Sequence, residues 1–300
     1  MMKSLIIYHK NCMDGFGAAW VAYKYHRNCQ PFFIAGDAGK IDAVINQLKN
    51  INLSEYDEVI SFDLSWTEES LNNLVELCPN VKVFDHHISC AKTSVVHFDN
   101  TISGVMLAWN YYYPGVVPPK TLLYIQERDL WSYNLPYSKE INSALHIKLP
   151  IGDFNAWTEF IDNEEVKLEE ARHLGIELEQ ARLEKIKQIY SHKTIQTHGK
   201  YKVCVIETNE RNLRSDLAAY AYSQKDENGN WVCDYVLMWV LSDTNEYWVS
   251  LRSNNKRVDS PDVSEIAQSF APNGGGHKHA SGFSVSGNLF VNGEIIFPTN

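Results

Sequence analysis

Leu5-Ile-Ile-Tyr8 runs straight into His9-Lys-Asn-Cys12-Met-Asp14-Gly15, Val59-Ile-Ser-Phe62 into Asp63, and Val81-Lys-Val-Phe84 into Asp85-His86-His87. Short apolar runs rich in β-branched residues read as strands buried on both faces of a parallel sheet. In open α/β sheets the ligand site lies outside the carboxyl ends of the strands. Three strand ends bearing carboxylates and imidazoles therefore converge on one place, and those residue types point to a metal site.

Outward from these strands, residues 5–135 alternate strand and helix. The stretch 15–26 has helical spacing (Phe16, Ala19, Trp20, Tyr23), 31–34 reads as another strand and 40–50 as a helix. Ser65-Trp-Thr-Glu68 matches a capping box with Ser65 as the cap. The buried helix face Leu71, Leu74, Val75, Cys78 follows, and Pro79 ends it. Residues 103–113 are helical, and Pro118-Pro119 place prolines in the first turn of a helix reaching Asp129. The segment 131–136 breaks the pattern. Such alternation predicts right-handed βαβ units and a parallel sheet.

Residues 164–190 predict one long charged helix, read as an interdomain connector rather than a coiled coil. Beyond it, 203–206, 235–241 and 247–251 predict strands, and 213–222 a helix. Another helix runs to Phe270, opened by Ser260 as cap and Pro261 in its first turn. Asn228-Gly-Asn and Asp243-Thr-Asn245 predict turns. The fold class is thus α/β. A parallel-sheet N-terminal domain covers 1–150, a helical connector 151–195, and a smaller mixed-sheet α/β C-terminal domain 196–300.

The chain has 300 residues, 44% of them hydrophobic, enough for substantial cores. Its 27 basic and 37 acidic residues give a net charge of −10. That balance argues against a long nucleic-acid track, which needs a basic face to neutralise many phosphates. It leaves room for a small anionic substrate held by a metal and a few local cations. The six cysteines form no C-x-x-C pair, so a zinc ribbon is not indicated. The apolar stretch near the start is too short for a signal peptide, and no run approaches a membrane span. A cytoplasmic protein with free cysteines and no membrane partner is the expectation.

Imidazole and carboxylate together suit Mn²⁺, Fe²⁺ or Zn²⁺ better than Ca²⁺. Two such ions about 3.5–4 Å apart can activate a water and stabilise both ends of a displacement at phosphorus. The chain offers His9, Asp14, Asp63, Asp85, His86, His87 and Asp129 for such a centre, with Cys12 as a soft candidate ligand. A second set lies at Gly274-Gly275-Gly276-His277 with Arg252. Glycines let backbone N–H groups approach an anion, His277 can donate to a phosphate oxygen, and Arg252 can hold a phosphate bidentately.

With both sets quoted, the chain resembles the DHH phosphoesterase superfamily with its DHH-associated C-terminal domain. The resemblance spans nearly the whole length. It rests on His9…Asp14-Gly15, Asp63, Asp85-His86-His87, Asp129 in Glu-Arg-Asp-Leu-Trp, Ser250-Leu-Arg252-Ser253 and Gly274–His277. It implies a dinuclear centre, usually manganese, in the first domain and a second domain that grips substrate across a cleft. One metal would be held by His9, Asp63 and the residue at position 12, the other by Asp14, Asp63, His86 and Asp129, with Asp63 bridging. Asp85 would support the centre and His87 would donate to the scissile phosphate. Arg252, Ser253 and Gly274–His277 would bind the phosphate or terminal nucleotide. The chain departs from the family at Cys12, where the family has an aspartate; thiolate favours softer metals than Mn²⁺. If Cys12 is not a ligand, Asn11 or Asp37 is the substitute.

The resulting expectation is a hydrolase that uses metal-activated water on phosphodiester or phosphomonoester bonds of a small nucleotide or short single-stranded oligonucleotide. His87, Asp85 and Arg252 would be its catalytic residues. The alternatives are hydrolysis of polyphosphate or pyrophosphate, and a non-catalytic nucleotide sensor with a degenerate metal site. Members of the family are often dimers, so a homodimer stands among the expectations.

Overall fold

The structure is a computed structural model and describes residues 3–27, 29, 31–287 and 289–298. The sequence-predicted domain limits at 1 and 300 lie outside the described residues. The chain divides into two compact units, Met1–Glu179 and Gln180–Asn300.

The first unit contains β1 (Ser4–His9), α1 (Met13–Tyr25), β2 (Phe32–Gly36), α2 (Ile41–Lys49), β3 (Glu58–Phe62), α3 (Glu68–Leu77), β4 (Val81–Asp85), β5 (Val96–Phe98), α4 (Gly104–Tyr112), α5 (Lys120–Asp129), α6 (Ser138–Lys148) and α7 (Phe154–Asp162). The five strands are parallel, in the order β2-β1-β3-β4-β5. In this doubly wound order the strand order reverses between β1 and β3, where α/β sheets place their sites. Strand alternation divides the core. Leu5 and Ile7 of β1 pack among residues of α2 and α3, whereas Ile6 and Tyr8 join α1 and the helices from α4 onward. The helix α1 is buried continuously from Asp14 to Ala22. It is a core helix, not an amphipathic surface one.

The sequence expectations differ from the structure at helix starts. Thr67, not Ser65, caps α3, accepting from the Ser70 amide at 3.2 Å. The Ser65 hydroxyl instead donates to Asp85 Oδ2 at 3.2 Å. Pro119 is the cap residue of α5, just before its first turn. The Glu164 carboxylate accepts from the amides of Lys120 and Thr121, both at 3.1 Å, and supplies the cap that proline lacks. Glu164 opens α8 (Glu164–Ser191), whose Leu168 and Ala171 belong to the first unit's core. Sequence reasoning missed α6, α7 and the three-residue β5.

The second unit takes the end of α8, then β6 (Thr194–His198), β7 (Tyr201–Glu207), α9 (Arg214–Ser223), β8 (Tyr235–Leu241), β9 (Glu246–Ser253), α10 (Val263–Phe270), β10 (Gly275–His277), β11 (Ala280–Ser286), β12 (Phe290–Val291) and β13 (Glu294–Ile295). Six strands form a mixed sheet in the order β10-β11-β9-β8-β7-β6, with β7 and β8 parallel, and β12 and β13 pair separately. One face packs on α10; the other packs on α9 and on Ile186 and Tyr190 of α8. Asp262, not Ser260, caps α10, accepting from the Ser264 amide at 2.9 Å. The glycine run, which composition alone assigns to a loop, forms the edge strand β10. Among the described residues no helix is long and apolar enough to cross a membrane, and all six cysteines are unpaired.

Ile6 is fully buried in the central strand. Ile6→Ala should cost about 2–5 kcal/mol through lost burial and a residual cavity. Thr67→Ala should cost about 1 kcal/mol through loss of the cap, both read by urea unfolding.

Candidate metal centre and a cationic sheet face

His9 ends β1, Asp85 ends β4, and Asp63 follows β3 directly. Asp63 takes a left-handed backbone with φ +55°, a conformation that costs of order 1–3 kcal/mol in a non-glycine residue. That turn brings its carboxylate beneath both flanking strand ends. His86 Nε2 lies 3.2 Å from Asp63 Oδ1 and 3.4 Å from Asp129 Oδ2. His9 Nδ1 lies 3.5 Å from Asp63 Oδ2. Ligand atoms fall into overlapping groups within 4.8 Å of one another: His9, Cys12, Asp63; Asp14, His86, Asp129; and Asp63, Asp85, His86, His87.

Asp14 sits in the first turn of α1 and is 1% exposed. Its two oxygens accept from the amides of Gly104 and Val105, at 2.5 and 3.0 Å. The N-terminus of α4 thus holds this carboxylate. Sequence reasoning missed that contact. A Cβ at Gly104 would lie 2.6 Å from Asp63 Cβ and 2.7 Å from Asp14 Oδ2, so the approach needs glycine. Gly15 is equally confined, since a Cβ there would collide with the His9 carbonyl.

The carboxylates of Asp14, Asp63 and Asp129 crowd one another under burial. Burial, then the charges of Asp63 and Asp129, push Asp14 well above the usual carboxylate range. Burial and the Asp63 charge outweigh the nearby histidines and raise Asp129 as well. Burial opposes the ionised form of Asp63 too, but the hydrogen bond with His86 and the close approach of His9 outweigh it and lower its pKa. Burial works against protonated His86, yet the Asp63 hydrogen bond and the surrounding carboxylates raise it to about 9. Burial, with Asp63 next, pushes the Cys12 thiol up to about 12.

His9 Nδ1, Asp63 Oδ2 and Asp129 Oδ2 are buried without a hydrogen-bond partner. Orphaned donor atoms turned toward one another, among mutually repelling carboxylates, fit divalent cations. Asp85 has another task. Fully buried, it accepts from the His86 and His87 amides at 2.8 and 3.2 Å and faces His87 Nδ1 at 2.7 Å. It fixes the His87 ring with Nδ1 as donor and raises the pKa of His87. Asp37 does not join the cluster; it pairs with Lys10 at 3.1 Å and caps a short turn at Gly39. Asn11 lines the adjacent cavity.

In the second unit, strand register decides what shares a face. His277 pairs with Ala280, and Ala280 with Arg252, so His277 and Arg252 point from the same face two strands apart, roughly 10 Å. Beside that row run Gly275, Gly282 and Ser250, a floor of small residues. Ser253, one residue on from Arg252, lies on the opposite face by alternation. Its hydroxyl donates to the Pro261 carbonyl at 2.8 Å and lies 2.9 Å from His279 Nδ1. Gly274 packs on α10, where a Cβ would collide with the Ala267 carbonyl; Gly275 has open space. Gly276 holds φ +135°.

Two further cations belong to the Arg252 face and escaped the sequence reading. Arg211 lies over the Trp248 ring at 4.4 Å. Arg214 has a buried, unpartnered Nε, and burial and then the Arg211 and Arg252 charges lower its pKa. Arg182 and Arg257 pair with carboxylates, but among the described residues none lies within ion-pair distance of Arg211, Arg214 or Arg252.

The chelated protein should lose stability as pH rises. Protonated His86 contributes fully below about 6.5, and that contribution is lost as pH passes about 9. The raised Asp14 acts in the same sense, since its ionised form is disfavoured in the fold. Melting temperatures with EDTA should fall between these pH values, and saturating Mn²⁺ should flatten the decline. Gly104→Ala should weaken Mn²⁺ binding in calorimetry.

No family model matches the chain. It is 29% identical over 300 residues to the uncharacterized protein R106 of Acanthamoeba polyphaga mimivirus, covering 94% of this chain and 68% of that one. Among solved structures it is similar to the pGpG-specific phosphodiesterase PggH of Vibrio cholerae, with 12% identity, a TM-score of 0.53 and coverage of 95% of this chain and 93% of that one. RecJ of Thermus thermophilus in complex with Mn²⁺ matches with 13% identity, a TM-score of 0.49 and coverage of 96% of this chain and 50% of that one. The parallel five-stranded sheet, the mixed-sheet second unit and the likeness to the phosphodiesterase together give the chain an α/β fold of the DHH type.

Proposed function

We propose that the chain is a metal-dependent phosphoesterase acting on small nucleotides or short single-stranded oligonucleotides. One observation carries the reading: donor groups on His9, Cys12 and Asp63, and on Asp14, His86 and Asp129, meet around Asp63 with buried atoms left unpartnered. His9, Cys12 and Asp63 would hold one ion and Asp14, Asp63, His86 and Asp129 the other. When bound, such a pair activates water and neutralises charge at phosphorus.

The protein's own groups supply the rest. Asp85 orients His87 and favours its protonated form, so Nε2–H can donate to a phosphate oxygen as charge develops. Asp14, clamped by α4, and Asp63, fixed by its strained turn, keep the centre in place. Arg252 and His277, on one sheet face with Gly275 open beside them, would grip the phosphate or terminal nucleotide. The net charge of −10 limits the substrate to one that engages few cations.

Turnover of a 5′-phosphorylated diadenylate, a short RNA, adenosine bisphosphate and polyphosphate with Mn²⁺, Co²⁺, Fe²⁺ or Mg²⁺ tests this. Asp63→Ala should lower kcat on the preferred nucleotide by about 100-fold or more; equal turnover by wild type and variant would sink the assignment. Phosphate release from polyphosphate alone would select the phosphoanhydride reading. For Cys12, the Co²⁺-loaded protein should show thiolate charge-transfer absorption that Cys12→Ser removes. Cys12→Asp should shift metal preference toward Mn²⁺.

A further inference from the structure

We propose that the cavity beside the metal-ligand cluster of the first unit receives a nucleobase, and that Trp131, held over Arg128, grips it and so separates nucleotides from inorganic phosphates. This deepens the phosphoesterase reading and rests on it. The cavity holds about 400 Å³, within the range of small-molecule sites. His9, Asp14 and Asp129 are among its lining residues, so anything seated there lies beside the candidate centre. Ile125 and Leu145 supply apolar surface and Trp131 an aromatic plane. Arg128 is the sole arginine or lysine among its described lining residues. A polyphosphate chain needs cations along its length, whereas a heteroaromatic ring suits an apolar and aromatic wall.

Trp131 is displayed, not packed. It is 58% exposed, whereas Trp20, Trp66 and Trp157 are fully buried. Its backbone is left-handed at φ +53°, as is that of Tyr133 at +48°. Each costs of order 1–3 kcal/mol, and such strain persists only where the surroundings enforce it. Glu127 enforces it. This buried carboxylate accepts from the Ser132 hydroxyl and the Leu135 amide, both at 2.8 Å, across the loop. Arg128 Nη1 donates to the Tyr133 hydroxyl at 2.6 Å, and its guanidinium lies 4.7 Å from the Trp131 ring. The cation is thereby committed to holding the indole. A pinned, strained loop that presents a rigid aromatic to solvent beside catalytic-type ligands is pre-organised for stacking.

The test compares the Mn²⁺-loaded wild type with Trp131→Ala and Trp131→Phe on a 5′-phosphorylated diadenylate and on its abasic analogue. Trp131→Ala should raise KM for the diadenylate about 10-fold or more, leave its kcat nearly unchanged and leave KM for the abasic analogue unmoved; Trp131→Phe should restore most of the loss. An unchanged KM for the diadenylate, or an equal rise for both substrates, would overturn the proposal. Calorimetry with adenosine 5′-monophosphate separates this from failure of the phosphoesterase reading. If no nucleotide is turned over, weaker binding by Trp131→Ala still supports the base pocket, and equal binding overturns it.

Discussion

The structure of the first unit depends on gathering negative charge where the fold least tolerates it. Asp14, Asp63 and Asp85 are each at most 1% exposed, Asp63 and Asp85 at the carboxyl ends of largely apolar strands and Asp14 in the first turn of α1. An uncompensated buried carboxylate is costly, so each has a dedicated answer. Two amides at the start of α4 hold Asp14, two histidines face Asp63, and the His86–His87 turn with Ser65 holds Asp85. Neighbouring details follow from these answers. Gly104 and Gly15 exist to let backbones come close, and the strained Asp63 turn sets its carboxylate between His9 and His86.

This explains what the sequence could and could not disclose. Strand ends and their ligands were legible because a parallel sheet converts four-residue apolar runs into a shared edge, and the run and its ligand are adjacent in sequence. The grip of α4 on Asp14 was not, because it joins residues 90 positions apart. Ser65 shows the limit of local motifs. It fits a capping box, but Thr67 lies nearer the helix start and Asp85 draws the Ser65 hydroxyl away. The helix α6 was hidden behind a loop whose left-handed residues Trp131, Tyr133 and Tyr137 carry no glycine signal.

In the second unit the motif residues were visible, but their arrangement depended on register. Arg252 and His277 share a face only because β10, β11 and β9 pair with no slip; a shift of one residue would turn His277 away. Alternation likewise divides neighbours in sequence, placing Arg252 on the cationic face and Ser253 against Pro261 and His279. The cations Arg211 and Arg214 lay outside every motif, and folding alone places them on that side.

Cys12 can be understood in the same electrostatic terms. An aspartate there would add another permanent charge to a centre where Asp14 and Asp129 already resist ionisation. A thiol raised to about 12 is neutral in the absence of a cation and adds no repulsion. A bound divalent ion lowers a thiol's pKa steeply and creates the thiolate only when there is charge to meet it. As a ligand, the cysteine would therefore supply negative charge on demand. Metal binding through Cys12 would then release a proton. The selectivity of the centre would move toward softer ions, because thiolate, unlike carboxylate, discriminates against Mn²⁺.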